Sequence, residues 1–158
     1  LVHGVPKPPQ GKIDAALVKA ATPDGERVRK ARPGEQDKAP SAVTHYAVID
    51  RAARQVALMS LKPVTGRQHQ LRAHMAILGH PLLGDEKYPS GIELPDGIER
   101  RLHLHARRIS FPHPSGEGVV DVTAPLPPHI EAAFATFGFS PKGLDREDDV
   151  EICGTSCG

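Results

Sequence analysis

Residues 63–81, PVTGRQHQLRAHMAILGHP, predict a strand end, a glycine turn and then one short helix. Thr65 is placed to cap this helix, and Gln68 three residues later completes a capping box, which provides acceptors for two free backbone N–H groups. Gly79 supplies the left-handed residue that commonly ends a helix, and Pro81 prevents the helix from resuming. The stretch therefore predicts an isolated helix with defined ends.

One side of this helix is apolar. Leu71, Met75 and Leu78 recur at i, i+4 and i+7, which is the spacing of a core-facing stripe. Outside that stripe, five polar side chains crowd the first turns: Arg67, Gln68, His69, Arg72 and His74. Cations at a helix N-terminus oppose the helix dipole, and a bound anion would relieve that cost. A solvated basic face is the ordinary explanation of such a pattern, but the density of these side chains beside the glycine turn favours a polyanion site.

Branched and aromatic residues indicate two strands ahead of the helix, at residues 43–49 and 55–61. The connector between them predicts an antiparallel hairpin that leads straight to Thr65, with Tyr46 in the core. A second hairpin is predicted from residues 110–111 and 119–122, and a helix of one to three turns at residues 129–135. The expected fold class is α+β, with a mixed, mainly antiparallel sheet and a few short helices.

Other segments allow more than one interpretation. Residues 22–42 fit a solvated loop, or a phosphate contact through their four clustered bases, Arg27, Arg29, Lys30 and Arg32. Residues 100–109 alternate apolar and basic side chains, which fits a half-buried strand, or else a short helix or an irregular lead into a strand. In the loop before them, Asp85 is expected to pair with a nearby cation and Tyr88 to pack the loop against the fold.

Composition limits the classes of function. The 158 residues suffice for one domain, and the net charge is only +1, but residues 139–158 hold five acids against two bases, so the remainder is positive. No run is long enough to span a membrane and no signal peptide is visible. The only cysteines, Cys153 and Cys157, form no disulfide framework, so a cytoplasmic location is expected.

Nine histidines raise the possibility of a hydrolytic metal enzyme. His69 and His74 are five residues apart, whereas a zinc-binding helix places its two histidines four apart. His103 and His105 have no third ligand at a recognisable spacing. A metal site is therefore not expected.

Several motifs together carry a family resemblance: TGRQHQLRAH at 65–74, GHP at 79–81, GDEKY at 84–88, LHLHA at 102–106 and FPHP at 111–114. In this order they resemble the signature of RluA-type RNA pseudouridine synthases. The resemblance implies that residues 1–138 are the C-terminal portion of a synthase catalytic domain. Residues 139–158 are expected to form an acidic, disordered tail.

The resemblance also implies an activity and a set of site residues. Family members isomerise uridine in RNA to pseudouridine without a metal or cofactor, using an Asp, an aromatic ring and an Arg paired with the Asp. The position of that Arg corresponds to Arg72. Arg67, Gln68, His69 and His74 are the candidates for gripping the RNA, and Leu104 is the candidate for lining the base pocket. The expected partner is RNA, with ribosomal RNA first and transfer RNA second.

The catalytic Asp of the family lies in a His-Arg-Leu-Asp element, which this sequence does not contain. In the family that element lies upstream of every motif quoted above. The 158 residues alone are therefore expected to be inactive, as part of a longer synthase. The alternative is a non-catalytic RNA-binding module derived from the same family.

Overall fold

The computed structural model describes residues 1–23 and 25–145. Its elements, in chain order, are β1 (Val2–His3), β2 (Gln10–Asp14), β3 (Leu17–Thr22), β4 (Gly25–Lys30), β5 (Val43–Ala52), β6 (Val56–Pro63), α1 (Gln70–Ile77), β7 (Arg108–Pro112), β8 (Val119–Thr123), α2 (Pro128–Phe137) and a 3-10 helix (Pro141–Asp145). The predicted α+β class with mainly antiparallel sheet is confirmed. In the described ranges, no helix is long and apolar enough to cross a membrane.

A four-stranded antiparallel sheet forms the centre, in the order β1-β6-β5-β2. Its longest strands, β5 and β6, are the predicted hairpin, and their register pairs Tyr46 with Leu61 and Thr44 with Pro63. Tyr46 is buried, as expected for a core residue. Because β6 ends at Pro63, the sheet fixes the position from which the chain enters the segment before α1.

The two α-helices pack in different apolar clusters. These clusters lie on opposite faces of β6, because successive side chains along a strand point to opposite faces. Val56 and Leu58 belong to the cluster that contains Ile130 and Phe134 of α2. Ala57, between them, belongs to the cluster that contains Met75 of α1. Helix α1 is therefore anchored to the sheet through Met75, the one member of the predicted stripe that is completely buried.

Residues 22–42 include the strand Gly25–Lys30 and are therefore not simply a solvated loop. This strand, β4, pairs antiparallel with β3, which ends at Thr22. Leu17 of β3 and Val28 of β4 pack with Ala73 of α1. Arg29 of the basic cluster forms a bidentate ion pair with Glu35, at 2.7 and 2.9 Å. The hairpin was missed because its strands have only six residues each and half of those residues are polar.

The second predicted hairpin is confirmed as β7–β8, which pairs Ile109 with Val122 and Phe111 with Val120. Of the interpretations of residues 100–109, the irregular lead is correct, because these residues form no helix and β7 begins only at Arg108. Its sheet has two strands and is separate from the central one.

The packed chain extends beyond residue 138, where the domain was expected to end. Phe139 is buried, and its ring lies edge-on to Phe134, with 5.8 Å between ring centroids. The 3-10 helix Pro141–Asp145 follows, and Leu144 packs against the same cluster. The rest of the expected acidic tail, residues 146–158, lies outside the described residues.

Candidate functional site at the start of helix α1

Helix α1 begins at Gln70, later than the capping box predicts. Its N-cap residue is His69, which has left-handed backbone angles (φ 51°, ψ 20°), and no side chain caps the helix. Thr65 does not cap it, because its hydroxyl donates to Oε1 of Gln70 at 2.7 Å and accepts the N–H of Val43. The predicted capping box of Thr65 and Gln68 is therefore wrong, and both residues lie ahead of the helix.

Gln70 is the residue that shapes this entry. Its side chain is buried, and its Oε1 also accepts the backbone N–H of Arg67 at 3.0 Å. Its Nε2 donates to the carbonyl of Val43 at 2.9 Å and to the hydroxyl of Thr44 at 3.0 Å. All four hydrogen-bonding positions of the amide are thus used. The segment that carries Arg67 and Gln68 is tied to strand β5 through one side chain.

His74 continues this chain of hydrogen bonds and is completely buried. Its Nε2 lies 3.2 Å from the carbonyl of Ala15, which can only accept, so Nε2 carries the proton. Nδ1 then accepts the Thr44 hydroxyl at 2.9 Å. Burial lowers the pKa of His74, which is consistent with a neutral ring. The expectation that His74 lies on the outer face and grips RNA is wrong, because both ring nitrogens bind protein groups in the interior.

The C-terminus of α1 is as predicted. Gly79 has φ 88°, its N–H donates to the carbonyl of Ala76, and the N–H of His80 donates to the carbonyl of Met75. These are the two bonds of a Schellman motif. The motif turns the chain into the loop that contains Asp85.

Arg72 and Asp85 form the strongest charged contact of the site. Nε of Arg72 donates to Oδ2 of Asp85 at 2.8 Å, and Nη2 donates to Oδ1 at 2.6 Å. The Asp85 side chain has no exposed surface, whereas that of Arg72 is 19% exposed. The predicted pairing of Asp85 with a nearby cation is confirmed.

The two partners hold each other charged. Burial opposes ionisation of Asp85, but hydrogen bonds from Arg72, Tyr88 and Lys87, together with the Arg72 charge, outweigh it and lower the pKa of the carboxyl. The hydrogen bond to Asp85 likewise raises the pKa of Arg72. Asp85 is poorly suited to act as a nucleophile, since its carboxylate is inaccessible and both oxygens are engaged.

Tyr88 closes the cluster, as its predicted packing role requires. Its ring centroid lies 5.5 Å from Cζ of Arg72, within cation–π distance. Its hydroxyl accepts the N–H of Val28 at 2.9 Å and lies 3.3 Å from Nδ1 of His69. Burial, followed by the positive charges of Arg72 and Lys87, lowers the pKa of His69. His69 is thus a neutral, half-buried neighbour of the guanidinium.

The remaining candidates lie around this cluster. Arg67 and Gln68 are exposed, and Nε of Arg67 donates to the carbonyl of Ser41 at 3.1 Å. Leu104 is half-buried against the apolar cluster that contains Met75. Among residues 1–23 and 25–145, no three His, Cys, Asp or Glu residues come together in a way that could hold a metal ion.

Chemically, the site presents a fixed arginine. One edge of the Arg72 guanidinium is bound by Asp85, and Nη1 has no hydrogen-bond acceptor among the described residues. A guanidinium in a fixed plane can orient a second planar anion and keep it ionised. The sequence predicted only structural roles for Asp85 and Tyr88 of the GDEKY segment, and it did not point to Thr44 or Gln70 as residues of the site.

Comparison with known proteins identifies the family. A family model described as RNA pseudouridylate synthase matches residues 1–77. The dual-specificity RNA pseudouridine synthase RluA of Salmonella typhi is 40% identical over 117 residues, which cover 72% of this chain and 49% of that protein. This chain is a region of the RluA-type pseudouridine synthase family.

Further relatives agree with this assignment. RluA of Escherichia coli K12 is 38% identical over 129 residues, covering 78% of this chain and 53% of that protein. The structure of human RNA pseudouridylate synthase domain containing 4 is 29% identical, with a TM-score of 0.67, and the match covers 87% of this chain and 59% of that one. The chain spans about half the length of the curated relatives it matches. The region matched by the family model includes Arg72 but not Asp85 or Tyr88.

Proposed function

We propose that the protein to which this chain belongs is an RNA pseudouridine synthase and that Arg72 is its catalytic arginine. The observation that carries the proposal is the fixed guanidinium of Arg72, with Nη1 unpaired among the described residues and part of the side chain exposed. The reaction breaks the bond between N1 of uracil and C1′ of ribose and forms a bond between C5 and C1′. The hydrogen on C5 leaves as a proton and N1 gains one, so no oxidant or cofactor is required.

In this proposal Arg72 orients and keeps ionised the catalytic carboxylate, through the remaining donors of its guanidinium. The family's His-Arg-Leu-Asp element is not in the sequence, and Asp85 is too buried to replace it. The carboxylate therefore comes from a segment outside these 158 residues, and we propose that the chain alone is inactive. We assign Leu104 to the wall of the base pocket, through its place beside the apolar cluster of α1.

The RNA-binding surface in this proposal is the segment ahead of α1. Arg67 and Gln68 are exposed there, and His69 lies at the helix N-terminus beside Arg72. A target base must leave its stack for the reaction, so nearby phosphates have to be held while it is out. We propose ribosomal RNA first and transfer RNA second as substrates. The cytoplasmic location expected from the cysteine content stays a prediction.

The test is the release of tritium from RNA labelled at C5 of uridine. The full-length protein from the same gene is assayed beside the 158-residue chain, with ribosomal RNA and transfer RNA offered separately. We expect release by the full-length protein alone. Release by the short chain would contradict the assignment of the carboxylate to another segment.

Two variants of the full-length protein make the assay specific. Arg72→Ala is expected to lower turnover by at least about 100-fold, because the oriented cation is lost. Arg54→Ala removes the same charge from an exposed turn between β5 and β6 and is expected to leave turnover unchanged. Near-normal turnover in Arg72→Ala would contradict the proposal.

One observation favours the alternative of a non-catalytic RNA-binding module, namely that no accessible Asp pairs with Arg72 among residues 1–23 and 25–145. RNA binding by the full-length protein without tritium release from any RNA would support that alternative. RNA binding together with release would exclude it.

A further inference from the structure

The contact between Arg72 and Asp85 does more than neutralise a buried charge. We propose that Asp85 is a positioning residue for the synthase reaction: it fixes the plane of the Arg72 guanidinium so that the unpaired Nη1 end faces the catalytic carboxylate. This inference rests on the proposed function, because it assigns a role to Asp85 through Arg72.

The first support is the way in which Asp85 binds Arg72. The carboxylate takes both Nε and Nη2, at 2.8 and 2.6 Å, which is the bidentate geometry that defines a plane rather than a point. A single hydrogen bond would leave the guanidinium free to rotate about that contact. With Nε and Nη2 both engaged, the direction of Nη1 is determined.

The second support is that Asp85 is itself held by several contacts. Its Oδ1 accepts the backbone N–H groups of Lys87 and Tyr88, each at 3.0 Å, and its side chain is inaccessible. The preceding residue, Gly84, lies so close to the backbone of Arg101 that a Cβ atom there would be 2.0 Å from the carbonyl oxygen of that residue. The Tyr88 ring meanwhile covers the guanidinium at 5.5 Å. A catalytic group held by such a supporting shell keeps a productive geometry.

The third support concerns charge. Because Asp85 compensates the charge of Arg72, the pair is a weak attractor for phosphate and a good oriented hydrogen-bond donor. Loss of Asp85 should therefore lower the rate of the chemical step without lowering the affinity for RNA. A residue that only stabilised the loop would instead change the melting temperature and RNA binding.

Asp85→Asn isolates the contact with Arg72. The amide retains an oxygen at the Oδ1 position, which serves Lys87 and Tyr88, so the loop stays anchored. Its NH2 group replaces Oδ2 and faces the Nε–H of Arg72, donor against donor. The matched control is Glu86→Gln, which removes the same charge from the adjacent, exposed residue.

The experiment measures single-turnover pseudouridine formation, RNA dissociation constants and melting temperatures of the full-length protein. For Asp85→Asn we expect a rate about 100-fold lower, as for a small misplacement of a catalytic group. We expect RNA affinity within about threefold of wild type, because only a transition-state interaction is lost. Glu86→Gln should match the wild type in both.

Several outcomes would overturn the inference. A wild-type rate in Asp85→Asn would show that Arg72 does not need this partner, and a parallel loss of rate and affinity would indicate a merely structural role. If Asp85→Asn does not fold, Asp85→Glu takes its place: it keeps the charge but displaces the carboxylate, and a wild-type rate there would overturn the inference equally. Absence of product with the wild-type protein would instead overturn the proposed function, and this inference with it.

Discussion

The hydroxyl of Thr44 lies 2.9 Å from Nδ1 of His74, and neither side chain has any exposed surface. This contact joins the longest strand of the sheet to the middle of helix α1. The same hydroxyl accepts a hydrogen bond from Nε2 of Gln70, so a single oxygen holds both the start and the centre of the helix. The position of Arg72, which lies between Gln70 and His74, depends on this oxygen.

Replacement of Thr44 by Val removes that oxygen and keeps the shape of the side chain. One N–H of Gln70 and Nδ1 of His74 then lose their partner in the interior, which costs about 1–3 kcal/mol of unfolding free energy for each unsatisfied group. Urea unfolding of the purified protein measures this loss.

The matched control is Thr136→Val, at an exposed position of α2 where the hydroxyl donates to the carbonyl of Ala132. A change within about 0.5 kcal/mol is expected there. Equal destabilisation by the two substitutions would contradict the importance of the buried Thr44 oxygen.

Stability should also depend on pH through three buried histidines. Burial lowers the pKa of His3, His74 and His103 below the ordinary value. The unfolded chain, in which these rings have a pKa of about 6.5, then binds more protons than the folded chain. Their contribution to stability is present above that pH and is lost as the pH falls towards the lower folded values. We expect the free energy of unfolding to decrease between about pH 7.5 and pH 5.5.

Unfolding curves of two histidine variants test this dependence. His74→Gln should show a smaller decrease with falling pH than the wild type. His113→Gln, at an exposed position, should retain the wild-type pH dependence. A wild-type pH dependence in His74→Gln would mean that His74 is not held neutral by its burial.

Local patterns in the sequence predicted the elements whose contacts are local. The β5–β6 hairpin and the end of α1 at Gly79 follow from alternation and from glycine chemistry within a few residues. The family motifs located Arg72 and drew attention to Asp85 in the same way. These parts could be predicted because the residues that determine them are near one another in the chain.

The start of α1 could not be predicted in this way. Gln70 is buried by bonds to Val43 and Thr44, which are 27 and 26 residues away in sequence. The same strand supplies the partner of His74. His74 is therefore an interior residue, although the helical spacing places it outside the apolar stripe. A capping box is a local rule, and here the distant contacts of Gln70 outweighed it.

Arg67 is the exposed cation of the proposed RNA surface. Arg67→Ala should weaken RNA binding similarly for all sequences and reduce the slope of log affinity against log salt by about one, as expected for one lost phosphate contact. Filter binding at several salt concentrations measures both quantities.

Arg54→Ala provides the control for that experiment, because it removes an identical charge at the opposite end of the β5–β6 hairpin. We expect its salt slope to equal that of the wild type. If both variants reduced the slope equally, RNA would be responding to net charge, and the segment ahead of α1 would not be the binding surface.

Gly84 allows the Asp85 loop to lie against the backbone of Arg101. Two glycine substitutions distinguish the cost of backbone strain from the cost of a steric clash at this contact. Gly84 and Gly97 both have positive φ, 68° and 79°, so alanine at either position costs about 1–2 kcal/mol in conformational strain. Gly97 has open space where a Cβ atom would lie, whereas at Gly84 that atom would be 2.0 Å from the carbonyl oxygen of Arg101. Gly84→Ala should therefore lower the free energy of unfolding by about 1–3 kcal/mol more than Gly97→Ala.

Gly84→Ala should also lower turnover of the full-length protein, since Asp85 moves with its neighbour. Equal unfolding free energies for the two variants would mean that the loop yields easily, and a mobile loop could not hold Arg72 in one plane.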